Sequence, residues 1–375
     1  MKFEYKIISS EQDMVSLEPM WKELEHGAEM TVFQSYDWNV LLVEQWMKFR
    51  YNRRFTKIYI FQVIEDDKVV LIAPMIVQRK SFGIKWLGRK KGIYFLGIES
   101  YSDYMNMIYD HVENSWFDFM LKKISEGFPQ LDFKLDYVRD DTALAAWCKK
   151  KGVEDHLTTS AFVELPTTVE EYNAKLSKST KQNLRTALNR MKKDRYVYEL
   201  FVHKNIDDDE FINELSTIHA ERARIKNRVH DQELIHCFSR ILHANYEELK
   251  NKTYDIIKNS MRRMKNSVLV VVKLNNETVG YLYGLRDDKA IRIMQNCFKV
   301  QYAFYSPLFR GAYDFILNQI KNPQNGINQV DFTRGDEPYK IKLGGGGQMP
   351  LHHYILKSCE CKNEQKISVD CSTYL

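Results

Sequence analysis

The stretch VLVVVKLNNETVGYLYGLRDDKAIRIMQNCF, Val268–Phe298, decides the fold. It holds three apolar runs, Val268–Leu274, Thr278–Leu285 and Ala290–Phe298, joined by Asn-Asn-Glu and Asp-Asp-Lys. β-Branched and aromatic runs bounded by such turn residues read as strands, and connections this short return the chain antiparallel. The spacing therefore predicts a three-stranded meander. Ser306-Pro307 then opens a helix over about 307–321, because proline's fixed φ and missing N–H suit a first helical turn. A further strand over Ile327–Phe332 carries the chain into Asp331, Arg334, Asp336, Glu337, Tyr339 and Lys340, followed by the glycines at 344–347. Gly335 and Pro338 bend the backbone inside that set, so the charged side chains converge instead of spreading along a strand. A loop of this kind is either a polar turn closing a hairpin or a functional loop at a strand end. The helix start at Ser306-Pro307 offers free N–H groups and the positive end of a dipole, so the segment Lys299–Ser306 leads to a seat for a pyrophosphate.

Working upstream, Leu184, Ala187, Leu188 and Met191 repeat at i, i+3, i+4 and i+7, the stripe of an amphipathic helix. Thr168 with Glu171 and Ser179 with Gln182 form possible capping boxes, the second at the start of that helix. From Lys175 to Arg195 there are eight Lys/Arg against the single acid Asp194, which makes either a solvated helix face or a platform for polyphosphate or nucleic acid. Residues 207–265 read as helix throughout. The N-terminal half opens with a strand (Phe3–Ile8) and helices over Met14–Glu25 and Trp38–Phe49. A hairpin follows, Lys57–Ile64 and Val69–Gln78 around the acidic turn at 65–67. Short apolar pieces at 84–87, 93–96 and 105–109 precede a helix over 113–126, a strand over 131–137 and a helix over 142–150.

At 375 residues the chain is too long for one ordinary core and suits two domains. Its 44% hydrophobic and 28% charged content belongs to a soluble globular protein, and a net charge of +5 does not by itself indicate a nucleic-acid binder. No apolar signal core opens the chain and no window approaches the length of a membrane span, so a cytoplasmic protein is expected. The six cysteines lie scattered without CxxC spacing and read as reduced thiols, with no metal centre expected.

The chain resembles the FemAB-like branch of the GNAT superfamily, in particular the CelD-type acetyltransferases linked to polysaccharide production. The resemblance rests on Leu176–Arg185 (LSKSTKQNLR), the meander with Val279-Gly280, Tyr305-Ser306-Pro307 and Asp331–Lys340 (DFTRGDEPYK). Phe33–Trp38 (FQSYDW) and Ser102-Asp103-Tyr104 extend it into the N-terminal half. It implies an α+β fold of two tandem GNAT-like domains, each a mixed, mainly antiparallel sheet flanked by helices. The expected division is 1–160, 161–350 and a C-terminal strand and tail over 351–375. The pyrophosphate-loop pattern usual in GNAT proteins, Q/R-x-x-G-x-G/A, does not occur between Phe298 and Leu308.

Acyl transfer from a thioester needs a deprotonated acceptor, a stabilised oxyanion and a protonated leaving thiolate. Asp336 is the expected base, with Asp331 as second choice, and Tyr339 the expected proton donor or carbonyl partner. Arg334 and Lys340 are expected to hold phosphate or carboxylate, together with Tyr305 and Ser306 on the carrier. Asp103 and Tyr104 are expected acceptor contacts. The leading expectation is an acyltransferase taking acetyl-CoA or another acyl-CoA to an amine or hydroxyl of a sugar, amino acid or cell-envelope precursor. A second is a FemAB-like transferase using aminoacyl-tRNA, with the basic tract and Arg262, Arg263 and Lys265 gripping the RNA. A third is a non-catalytic RNA- or surface-binding protein.

Overall fold

A computed structural model describes residues 1–48, 56–79, 91–97, 102–111, 113–204, 206–231, 254–324, 326–335, 337–344 and 346–358. The chain divides into two compact units, Met1–Thr158 with Pro350–Leu375, and Thr159–Met349.

The first unit contains β1 (Lys2–Ile8), α1 (Glu18–Leu24), α2 (Tyr36–Lys48), β2 (Thr56–Glu65), β3 (Lys68–Gln78) and β4 (Gly92–Phe95). It continues with α3 (Asn114–Gly127), β5 (Phe133–Arg139), α4 (Ala143–Lys151) and the first part of β6 (Val153–Glu164). Its sheet runs β1-β2-β3-β4-β5 and ends on a strand from the far end of the chain, β12 (Gly347–Leu356). Every pairing is antiparallel except β4 with β5. Residues Leu351–Leu356 thus form the sixth strand of this sheet. Leu351, Tyr354 and Leu356 face its core. His352 is bracketed by the carboxylates of Asp140 and Glu154 at 3.0 and 2.7 Å.

The two N-terminal signatures meet inside this unit. The Trp38 indole donates to Ser102 Oγ at 2.8 Å and the Gln34 amide donates to the Tyr104 carbonyl at 2.9 Å. Buried indole and amide groups need such partners, so these motifs serve as a packing lock. Of the short apolar pieces, 93–96 overlaps β4, and 105–109 makes a single bridge, Ile108 with Ile72. The piece at 84–87 lies outside the described residues.

The second unit contains the rest of β6, α5 (Val169–Lys175), α6 (Lys178–Lys193), β7 (Tyr198–Lys204) and α7 (Asp209–Asp231). A helix over residues 254–263 follows, then β8 (Ser267–Leu274), β9 (Glu277–Arg286) and β10 (Ala290–Phe298). A 3-10 turn (Val300–Tyr305), α8 (Pro307–Lys321), β11 (Gln329–Arg334) and α9 (Pro338–Gly344) complete it. The sheet order is β6-β11-β10-β9-β8-β7. Only β10 and β11 pair parallel. This is the same succession of pairings as in the first unit.

The meander and the 307–321 helix stand where the sequence places them. Of the expected 207–265 helix, α7 and the helix over 254–263 are present, and the middle lies outside the described residues. The amphipathic helix is capped by Ser177 and not by Ser179. Ser177 keeps an extended backbone (φ −63°, ψ 155°), and its hydroxyl accepts the Thr180 N–H.

Strand alternation sends β9 side chains to two different layers. Leu282 joins Leu184, Val270, Ile291, Phe315, Ile316 and Val330 in the core beneath α6 and α8. Tyr281 and Tyr283 point the other way, to hydroxyl contacts with Tyr254 and Ser260. α7 lies on that second face, where Cys297 Sγ donates to the Ile218 carbonyl.

Candidate active site

The second unit's site begins where β10 and β11 part. Their parallel pairing runs only from Ala290–Gln329 to Arg292–Asp331. Beyond it, β10 shifts register against β9 between Ile293 and Gln295, and β11 shifts against β6 between Asp331 and Arg334. An extra residue in one strand bends it away from its partner. Thr333 sits at φ 55° and Gly335 at φ 113°, the second a conformation that a side chain would strain. A buried polar seam fixes the point of divergence. The Arg292 guanidinium contacts Asp331 Oδ2 at 2.6 Å and Asp287 at 2.5 Å. The Thr333 N–H donates to Asp331 Oδ1 at 2.7 Å, and its hydroxyl donates to the Ile293 carbonyl at 3.0 Å.

α9 sets Tyr339 at the open end of this gap. Asn296 Nδ2, on β10, donates to the Tyr339 hydroxyl at 2.8 Å. Because the amide donates to the phenol oxygen, the phenol's own proton remains available to another acceptor. Burial pushes the Tyr339 hydroxyl well above the ordinary phenol range and nearby Glu337 adds to this, while Arg222 acts the other way. The group is therefore a neutral proton donor at physiological pH.

Tyr339 also lines a cavity of about 420 Å³ walled by three helices. α6 supplies Asn183, Thr186 and Arg190; the entry of α8 supplies Ser306 and Phe309; α9 supplies Pro338, Tyr339 and Lys342. Such a volume suits a small-molecule ligand. Arg190 is held in place by a hydrogen bond to the Phe304 carbonyl (2.9 Å) and by stacking 4.2 Å above the Phe304 ring. Ser306 adopts the left-handed conformation (φ 49°, ψ 50°), turning the chain abruptly into α8. Pro307 brings no N–H, and the Arg310 N–H already bonds Ser306 O, so Leu308 and Phe309 supply the first-turn amides. Two cations and a helix start thus give the cavity a positive wall.

The predicted residues separate sharply. Tyr339 and Ser306 reach the cavity. Asp336 lies outside the described residues, and Arg334 ends β11, its carbonyl engaged by Lys340. Asp331, only 2% exposed, has both oxygens engaged, by Arg292 and by the Thr333 N–H. Lys340 is 5% exposed and turns inward, its ammonium 2.5 Å from the Arg334 carbonyl and 2.9 Å from Glu337, so it closes the loop. Tyr305 points away to Asp194 at 2.7 Å, a bond that pushes its phenol up to about 12, and it packs on Tyr196. It braces the end of α6 against the α8 entry. In the first unit, Asp103 and Tyr104 are 4% and 3% exposed. The Tyr104 ring packs on Phe33 and under the Arg139 guanidinium.

Asn296 and Lys342 were not singled out from sequence, and Arg190 only as one cation of the Lys175–Arg195 tract. The visible signal for the first is the polar pair Gln295-Asn296 inside an apolar strand. Lys342 differs from Lys340 only in the helix face it occupies.

Residues 178–341 match the acetyltransferase (GNAT) domain family. The match lies within the second unit. Its mixed, mostly antiparallel sheet flanked by helices is the expected GNAT-like fold. The whole chain is similar in fold to a conserved protein of unknown function from Bacteroides thetaiotaomicron, at 11% identity and a TM-score of 0.55, over 95% of this chain and 100% of that one. It is also similar to the crystal structure of FemX, at 12% identity and a TM-score of 0.51, over 97% of this chain and 99% of that one. No curated protein matches the sequence. Among the described residues, no helix is long and apolar enough to cross a membrane.

Proposed function

We propose that the GNAT domain transfers an acyl group from acyl-CoA to an amine or hydroxyl of a sugar, amino acid or cell-envelope precursor. The observation that carries this reading is the double position of Tyr339. It lines the cationic cavity and, through Asn296, touches β10 at the strand divergence. Arg190, Lys342 and the α8 entry hold the carrier's phosphates, and the thioester arm runs past Tyr339 into the gap. Backbone amides along the edge of β10 that has left β11 polarise the acyl carbonyl. The acceptor's lone pair attacks that carbon, forming the new C–N or C–O bond as the C–S bond breaks. Tyr339 gives its proton to the departing thiolate, and the proton released by the acceptor returns through water to the phenolate.

Tyr339→Phe keeps the packing and removes the proton. It is expected to lower kcat about 100-fold while leaving acetyl-CoA binding within about 3-fold. Thiol release and calorimetry read the two quantities. An unchanged kcat would remove Tyr339 from the chemistry.

The exposed cations of α6 favour a second reading, in which aminoacyl-tRNA is the donor. Arg185, Lys192 and Lys193 all face solvent. Binding of tRNA with a steep salt dependence and no affinity for acetyl-CoA would select that reading instead.

A further inference from the structure

We propose that Arg222 on α7 binds the acceptor and that the acceptor is a carboxylate; this rests on the acyl-transfer reading above. The Arg222 guanidinium lies 4.1 Å above the ring of Phe298, the last residue of β10. Its Nη1 is buried and has no hydrogen-bond partner among the described residues. A guanidinium cannot shed its charge, and a buried donor without an acceptor costs folding energy that a bound anion would recover.

The location separates this cation from those that hold the carrier. Arg190 and Lys342 stand in the cavity on the α6 and α8 face of the sheet, whereas α7 packs on the opposite face. Arg222, carried by α7, ends over Phe298, two residues along β10 from Asn296, whose amide donates to the Tyr339 hydroxyl. The acceptor would therefore be held from the α7 side, with its nucleophile meeting the acyl carbon at Tyr339. One turn earlier on the same helix face, His219 stacks on Tyr254 at 4.0 Å. Gln295 Nε2 lies 3.0 Å from His219 Nδ1, and since the amide donates, the ring proton sits on Nε2. Burial, and secondarily the charge of Arg222, lower His219 to about 4, so the ring is a neutral donor. One planar guanidinium fork with a neutral N–H beside it matches a carboxylate. A doubly charged phosphate would call for paired cations such as those across the sheet.

The test uses the full chain, acetyl-CoA and matched acceptors: amino acids against their C-terminal amides, and glucosamine 6-phosphate against glucosamine. Thiol release gives kcat/KM, and calorimetry gives acetyl-CoA affinity. The expected result is a preference of about 30-fold for at least one amino acid over its amide. Arg222→Gln should erase that preference while leaving acetyl-CoA affinity unchanged. Arg222→Lys should restore it in part. Equal use of acids and amides by the wild type overturns the proposal, as does an equal loss for both in Arg222→Gln. An Arg222-dependent preference for glucosamine 6-phosphate replaces the carboxylate with a phosphate and also overturns it. If acetyl-CoA binds normally but no amino acid is acylated or bound, the carboxylate class is wrong. If acetyl-CoA does not bind, the underlying reading falls with it.

Discussion

Two neighbours in one motif, Asp331 and Tyr339, have opposite fates because burial treats an acid and a phenol differently. A buried carboxylate must be paired, and Asp331 is held by Arg292 and the Thr333 amide. A buried phenol simply keeps its proton, which suits Tyr339 for donation. Asp331→Asn should therefore act on stability more than on acyl transfer. It leaves the buried Arg292 with one carboxylate fewer, and a loss of about 3 kcal/mol in urea unfolding is expected. A fully stable variant with abolished turnover would restore Asp331 as a catalytic candidate. Residue types told where chemistry concentrates, but not which member of the cluster faces a ligand. Lys340 and Lys342 are indistinguishable by type and by loop position. Only the helical rotation of α9 turns the first inward and the second to the cavity.

At the scale of elements, local signals were legible wherever they were self-contained. The meander, with Asn275 and Asn276 both at positive φ in its first turn, needs only turn chemistry and alternation. The α8 start follows from proline's geometry alone. What local periodicity does not carry is partnership. The sequence reads a C-terminal strand and tail over 351–375 but not the strand's partner, and Leu351, Tyr354 and Leu356 are fully buried where β12 pairs with β5. His352, bracketed by Asp140 and Glu154, gives the tail's histidine a structural task. Leu351→Ala should accordingly cost about 2–5 kcal/mol, the range for emptying a packed core position. Chemical denaturation would check it, and a cost near that of an exposed site, below about 0.5 kcal/mol, would contradict the strand's place in the core.

At the scale of the molecule, the two units repeat one succession of strand pairings, and each completes its sheet with a strand taken out of chain order. The resemblance to GNAT proteins anticipated the fold class, whereas this strand order is a long-range fact that no window of sequence displays. The cavity likewise draws on α6, α8 and α9, which lie far apart in the chain. A titration of acetyl-CoA into the full-length protein tests the central claim most directly, comparing wild type with Arg190→Ala, Lys342→Ala and the double variant. The expected result is micromolar binding, weakened about 10-fold by each substitution, in keeping with loss of one charge-assisted hydrogen bond apiece. Absence of binding, or binding indifferent to both substitutions, would contradict the assignment of this cavity to a phosphorylated acyl carrier.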